Sequence, residues 1–134
     1  MTAFFDTKVL AYSVTSDPRK LRADRILSHG GVISAQVLNE FANVARNKLR
    51  KSWPEIEYAV ERICRAVDAV VPLTRAINAA ALALARDHGF SFYDALIVAA
   101  AIEAGCDTLY SEDMQDGRAI GGLTIRNPFL GSPP

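Results

Sequence analysis

Short apolar runs alternate along this chain with longer segments whose apolar residues recur at helical spacing. This alternation limits the possible folds more than any other feature. A short apolar run bounded by turn residues is typical of a strand that is buried on both faces, as in a parallel sheet covered by helices. The predicted strands cover residues 3–5, 31–34, 69–71, 108–110 and 123–125. We therefore predict an α/β fold with a five-stranded parallel sheet and helices on both faces.

Helix start and stop signals lie between the predicted strands. Asp17 and Pro18 are a typical N-cap and first helical residue, Thr74 is a second N-cap, and Gly89 follows the end of a periodic segment. The predicted helices span residues 8–13, 17–28, 35–49, 55–66, 74–87 and 91–103. In folds of this class ligands bind beyond the carboxyl ends of the strands, which is also the edge where the covering helices begin.

Length and charge restrict the classes of function. A chain of 134 residues has room for one domain, so we predict a single domain over residues 1–134. The 15 basic and 15 acidic residues give zero net charge, which excludes binding of nucleic acid by bulk charge and leaves a local patch or metal ions. The N-terminus has no basic leader and no apolar run is long enough to cross a membrane, so we expect a cytoplasmic protein.

Acidic residues are placed where the predicted strands end and the helices begin. Asp6 directly follows the first strand, Asp113 lies three residues past the fourth with Asp116 behind it, and Asp94 and Glu40 lie on helices that begin at the same edge. Clustered carboxylates repel one another unless a cation joins them, and oxygen ligands suit Mg²⁺ or Mn²⁺. Such a site favours metal-assisted hydrolysis of a phosphodiester bond.

Each acid also has an ordinary structural role open to it. Asp6 could cap a helix, Asp94 could complete a capping box with Ser91, Asp113 and Asp116 could be turn residues, and Glu40 could lie in solvent. Taken together these roles are less convincing, because the four carboxylates of Asp6, Glu40, Asp94 and Asp113 would have to share one edge of the sheet by coincidence.

Four segments of the sequence resemble motifs of the PIN-domain family. They are residues 4–12 (FFDTKVLAY), 34–41 (SAQVLNEF), 91–97 (SFYDALI) and 109–117 (LYSEDMQDG). Their order, their spacing and the length of the chain look like those of VapC-type toxins from bacterial toxin–antitoxin pairs. The resemblance extends over nearly the whole chain.

The resemblance implies a Rossmann-like sheet and an Mg²⁺- or Mn²⁺-dependent ribonuclease. It implies an acidic site made of Asp6, Glu40, Asp94 and Asp113, of which Asp6, Asp94 and Asp113 would bind the metal, with support from Asp116 and Ser111. It also implies a homodimer and a small cognate antitoxin that enters the active-site groove. The RNA substrate is expected to be single-stranded, because unpaired segments expose their bases and backbone to a protein.

Lys8 departs from the family pattern, which usually has Asn two residues after the first Asp. We expect this cation to point into the site, where it could pair with Asp6 or compete with metal. If it swings outward instead, it could contact a substrate phosphate. It supports an alternative function, a catalytically weakened PIN-type domain that binds RNA or a partner. A phosphorylatable receiver-like module is set aside, because Pro72 and not an acid follows the third strand.

Overall fold

The computed structural model describes residues 2–131, so Met1 and the last three residues of the predicted domain lie outside the described part. The six strands of that part are β1 (Ala3–Phe5), β2 (Val32–Ser34), β3 (Ala69–Val71), β4 (Thr108–Tyr110), β5 (Ala119–Ile120) and β6 (Leu123–Arg126). The helices are α1 (Thr7–Ser13), α2 (Lys20–Leu27), α3 (Ala35–Asn47), α4 (Trp53–Ala66), α5 (Arg75–His88) and α6 (Phe92–Glu103). The predicted α/β class is confirmed.

The strands form one sheet in the order β3-β2-β1-β4-β6-β5. All neighbours pair in parallel except β5 and β6. The chain moves outward from β1 to β2 and β3, and then returns to place β4 on the other side of β1. The strand order therefore reverses between β1 and β4, and a crevice that binds ligands is expected outside the carboxyl ends of these two strands.

The prediction of five strands, all of them parallel, was wrong in one detail. A sixth strand of two residues, β5, pairs antiparallel with β6 through a turn at Gly121 and Gly122. Gly121 has a φ of 59°, in the left-handed region that favours glycine. Two residues are too few to show the alternating pattern of a strand, which is why the sequence did not predict this one.

The centre of the sheet is covered on both faces. All three residues of β1 are buried, and successive side chains of a strand point to opposite faces. Helix α6 is apolar on nearly every side, with seven buried residues between Ala95 and Ala101. No helix within residues 2–131 is both long and apolar enough to cross a membrane.

Most helices begin where their capping residues predict. Ser34 caps α3, Thr74 caps α5, and Ser52 forms a capping box with Glu55 that starts α4 at Trp53, two residues earlier than predicted. Helix α2 starts later than predicted, at Lys20, because the preceding residues form a turn in which the Lys20 amide donates to the Asp17 carbonyl, three residues earlier (2.9 Å). The Asp17 side chain accepts from the Arg19 amide (2.8 Å), which is the bond of a capping residue, so Asp17 caps this turn and not α2 itself.

Gly31 lies where β2 begins beside β1. A Cβ atom at this position would lie 2.5 Å from Phe5 Cε2, and the backbone has a φ of 154°. The close approach of the chain to this core ring therefore requires glycine.

Candidate active site

Asp6 occupies the first position beyond β1, at the point where the strand order reverses. Its amide donates to the carbonyl of Tyr110, which extends the pairing of β1 with β4 by one residue. Its carboxylate caps α1 by accepting from the Thr7 amide (2.6 Å) and accepts the Ser111 hydroxyl on the other oxygen (2.7 Å). Asp6 is 7% exposed. The structural role as a cap and a role in a functional site therefore coexist in this residue.

The surroundings of Asp6 disfavour its charged form. Burial raises its pKa to about 6, although the hydrogen bonds from Ser111 and Thr7 lower it. The negative charges of Glu40 and Asp94 also contribute to this raised pKa. A buried carboxylate held by hydrogen bonds and facing other acids is the kind of group found at functional sites.

Glu40 reaches the same edge from α3. One of its oxygens accepts the Thr7 hydroxyl (3.2 Å), and the other accepts the side-chain amide of Gln36, one turn earlier on the helix (3.0 Å). These two contacts fix the carboxylate beside the start of α1. The charge of Glu40 is consequently directed toward Asp6.

Asp94 approaches from the first turn of α6. Ser91 caps this helix by accepting from the Asp94 amide, which leaves the Asp94 carboxylate at the edge of the sheet. Burial raises the pKa of Asp94, the bond with Ser91 lowers it, and the charge of Asp113 raises it. The structure thus links Asp94 electrostatically to Asp6 on one side and to Asp113 on the other.

Asp113 is engaged by a cation of the chain itself. Lys8 Nζ lies 2.9 Å from Asp113 Oδ1 and 3.6 Å from Glu112 Oε1. The Asp113 carboxylate, followed by Glu112, raises the pKa of Lys8. Lys8 therefore points toward the acidic edge, by which we mean the edge of the sheet that carries Asp6, Glu40, Asp94 and Asp113. Its ion pairs are made with Asp113 and Glu112 and not with Asp6.

Ser111 and Asp116 support the loop that follows β4. The fully buried Ser111 hydroxyl donates to Asp6 and accepts from the Met114 amide (3.3 Å). Asp116 accepts from the Asn127 amide at the end of β6 (2.8 Å), so its carboxylate braces the loop. An additional role for Asp116 in the acidic site stays a prediction.

Sequence reasoning missed Glu112, which organises much of this edge. Glu112 accepts the Tyr12 hydroxyl at one oxygen and Arg19 Nη1 at the other (3.0 Å), and its side chain is 16% exposed. The guanidinium of Arg19 also lies over the Tyr12 ring and pairs with Asp17. The acid beside Asp113 was visible in the sequence, but its partners on α1 and before α2 carried no local signal.

The donor set suits one hard divalent cation with open coordination positions. Within residues 2–131 no group of three or more His, Cys, Asp or Glu side chains is arranged to enclose a metal ion. Mg²⁺, however, usually binds through one or two carboxylates and completes its shell with waters and substrate phosphates. Asp6 and Asp94, each with a raised pKa, are oxygen donors whose charged forms a cation would stabilise.

A concave surface of the described residues lies away from these acids. It is a cavity of about 490 Å³ between α2 and α4, lined by apolar residues such as Leu27, Phe41 and Ile63 and edged by Lys20 and Arg62. None of the acids of the candidate site (Asp6, Glu40, Asp94, Glu112, Asp113 and Asp116) lines it. The candidate active site is therefore the open acidic edge and not this cavity.

Comparison with known proteins identifies the family and the fold of the chain. The family model of the PIN domain matches residues 3–116. No curated protein matches the chain significantly by sequence. Among solved structures, the chain is similar to the Mycobacterium tuberculosis toxin VapC20, described as cleaving the sarcin–ricin loop. The identity is 23%, the TM-score is 0.70, and the match covers 84% of this chain and 90% of that chain.

Two further structures have the same fold. One is a toxin–antitoxin complex from Klebsiella pneumoniae, with 21% identity, a TM-score of 0.70, and coverage of 95% of this chain and 98% of that chain. The other is FitAB bound to a DNA fragment, with 17% identity, a TM-score of 0.69, and 96% of each chain covered. At these identities the likeness concerns the fold.

Proposed function

Because this chain belongs to the PIN-domain family, we propose that it is an Mg²⁺- or Mn²⁺-dependent ribonuclease and the toxin of a toxin–antitoxin pair. The observation that carries the proposal is the buried Asp6 carboxylate, held by Ser111 and Thr7 at the strand reversal and facing the charges of Glu40 and Asp94. The resemblance of four motifs to VapC-type toxins supports the same function.

Asp6 and Asp94 are proposed as the residues that hold the cation. When bound, the cation supplies positive charge against phosphate oxygens and lowers the pKa of a bound water. Ser111 and the Thr7 amide keep the Asp6 carboxylate in one orientation, so no reorganisation of this group is needed when substrate arrives. Asp113, which the sequence predicts as a third ligand, pairs instead with Lys8 in this structure.

The Glu40 carboxylate is proposed as the general base that accepts a proton from the attacking water. Thr7 and Gln36 each donate one hydrogen bond to it, and a carboxylate oxygen retains a further lone pair for a proton. The three acids belong to separate elements: Asp6 follows β1, Glu40 lies on α3 and Asp94 lies on α6. The spacing of the acids therefore depends on how these elements pack.

Single-stranded RNA is the proposed substrate. An exposed aromatic ring in the first turn of α6 supports this choice, because it could contact an unpaired base. Tyr93 directly precedes Asp94 and is 64% exposed. An exposed ring beside the reacting groups can stack an unpaired base. Several similar structures are toxin–antitoxin or VapBC complexes, which supports a small antitoxin as the protein partner. A homodimer acting in the cytoplasm completes the proposal.

The test is cleavage of an unstructured RNA oligonucleotide by the purified chain with Mg²⁺, with Mn²⁺ or with EDTA. We expect cleavage only with metal, and loss of cleavage in Asp6→Asn and Asp94→Asn. Glu103→Gln is the matched control, because it removes one charge at the opposite, exposed end of α6. Cleavage that persists in both Asp variants would contradict the assignment.

The alternative function is an RNA- or partner-binding module with weakened catalysis. The pairing of Lys8 with Asp113 is the observation that favours it, since it neutralises one carboxylate of the site. RNA binding without metal-dependent cleavage, in a chain whose fold is intact by circular dichroism, would select this alternative.

A further inference from the structure

Lys8 connects the start of α1 to the loop after β4. It lies two residues beyond Asp6, and its ammonium bridges Asp113 Oδ1 at 2.9 Å and Glu112 Oε1 at 3.6 Å. The two partners are more than a hundred residues away along the chain. This cation is thus located at the carboxylate that the sequence predicts as a metal ligand.

The side chains of Tyr12 and Arg19 hold Glu112, one of the two partners of the Lys8 ammonium, in position. Tyr12 follows Lys8 by one helical turn on α1, so the two side chains share a face, and both contact Glu112. Arg19 holds the other oxygen of Glu112 at 3.0 Å and is itself held by Asp17. Glu112 is therefore anchored from two sides, and it provides a fixed partner for Lys8.

The charges on the two sides of the site differ as a result. Asp113 has a cation within 2.9 Å, whereas Asp6 and Asp94 face other carboxylates. Glu40 uses its oxygens to accept from Thr7 and Gln36. Within residues 2–131 the acids at the centre of the site, Asp6, Asp94 and Glu40, are thus not paired with a cation, and their negative charge favours a bound divalent ion.

We propose that the ammonium of Lys8 is a built-in counter-cation that takes the place of a second metal ion at Asp113, so that this chain binds a single divalent ion at Asp6 and Asp94. The inference rests on the proposed function, since it assumes a metal site at the acidic edge. It assigns Lys8 as a positioning residue that keeps Asp113 in place without metal.

The test counts bound Mn²⁺ per chain, by calorimetric titration and by the loss of free-ion signal in electron paramagnetic resonance, without RNA. We expect one ion in the wild type and two in Lys8→Met, which removes the charge without adding an oxygen ligand. Lys8→Arg is expected to keep one ion. Lys20→Met is the matched control, because it breaks another surface lysine pair, with Asp24, away from the acidic edge.

A double variant, Lys8→Met with Asp113→Asn, identifies the second site. It is expected to return to one ion, because the added ion should depend on Asp113. Two ions in the wild type, or one ion in Lys8→Met, would overturn the inference and leave the proposed function standing. If neither the wild type nor Lys8→Met binds Mn²⁺, the metal-dependent function itself fails together with the inference.

Discussion

Replacing Asp6 by Asn is expected to stabilise the metal-free protein at neutral pH while removing its response to metal. Asn has the shape of the protonated acid and carries no charge at any pH. It can still accept the hydrogen bond of the Thr7 amide that Asp6 now accepts. The difference in the free energy of unfolding between the variant and the wild type therefore measures how much the buried negative charge destabilises the folded state.

The size of the effect follows from the pKa of Asp6. This pKa is 3.8 in the ordinary environment and about 6 in the folded protein, mainly because of burial. The folded state thus binds the proton more tightly, so the contribution to stability is complete below pH 3.8 and is lost as the pH rises through about 6. One pKa unit corresponds to about 1.4 kcal/mol, so the wild type should lose about 3 kcal/mol over this range relative to Asp6→Asn.

Urea unfolding in EDTA, at intervals from pH 4 to about 7.5, measures the difference in the free energy of unfolding between the two proteins. We expect this difference to grow in favour of Asp6→Asn as the pH rises and to level off above the pKa of Asp6. Added Mg²⁺ should stabilise only the wild type, by about 2.7 kcal/mol at a hundred times the dissociation constant. A difference that stays constant with pH, or that favours the wild type at neutral pH without metal, would refute the reasoning.

Three further outcomes are expected. Ser111→Ala should lower the free energy of unfolding by about 1–3 kcal/mol, because the buried Met114 amide loses its acceptor and Asp6 loses a donor. A free energy of unfolding equal to that of the wild type would contradict this. Tyr93→Ala should weaken binding of single-stranded RNA by about 1–3 kcal/mol in a fluorescence titration, with Tyr93→Phe unaffected, and equal losses in both variants would argue against stacking. Light scattering should show a homodimer at micromolar concentration, and a neighbouring antitoxin gene product should co-purify with the chain; a monomer alone would count against the proposed assembly.

The sequence by itself predicted the architecture, because the signals for it are local. Apolar runs, capping residues such as Ser34 and Thr74, and the glycine after α5 mark the elements almost to the residue. Parallel strands end at a common edge, so an acid that directly follows a strand, such as Asp6, is placed at that edge by topology alone. The prediction failed at β5, whose two residues are too few to give a pattern, and at the start of α2, where a backbone turn after Asp17 precedes the helix.

Only the tertiary structure decided how the acids are partnered. The hydrogen bond of Ser111 with Asp6, the ion pair of Lys8 with Asp113 and that of Arg19 with Glu112 each join residues about a hundred positions apart. No periodicity or spacing encodes such pairs, because they depend on the register with which β4 lies beside β1. The sequence could therefore place a cation and several carboxylates at one edge, but the choice of Asp113 over Asp6 as the partner of Lys8 required the packed chain.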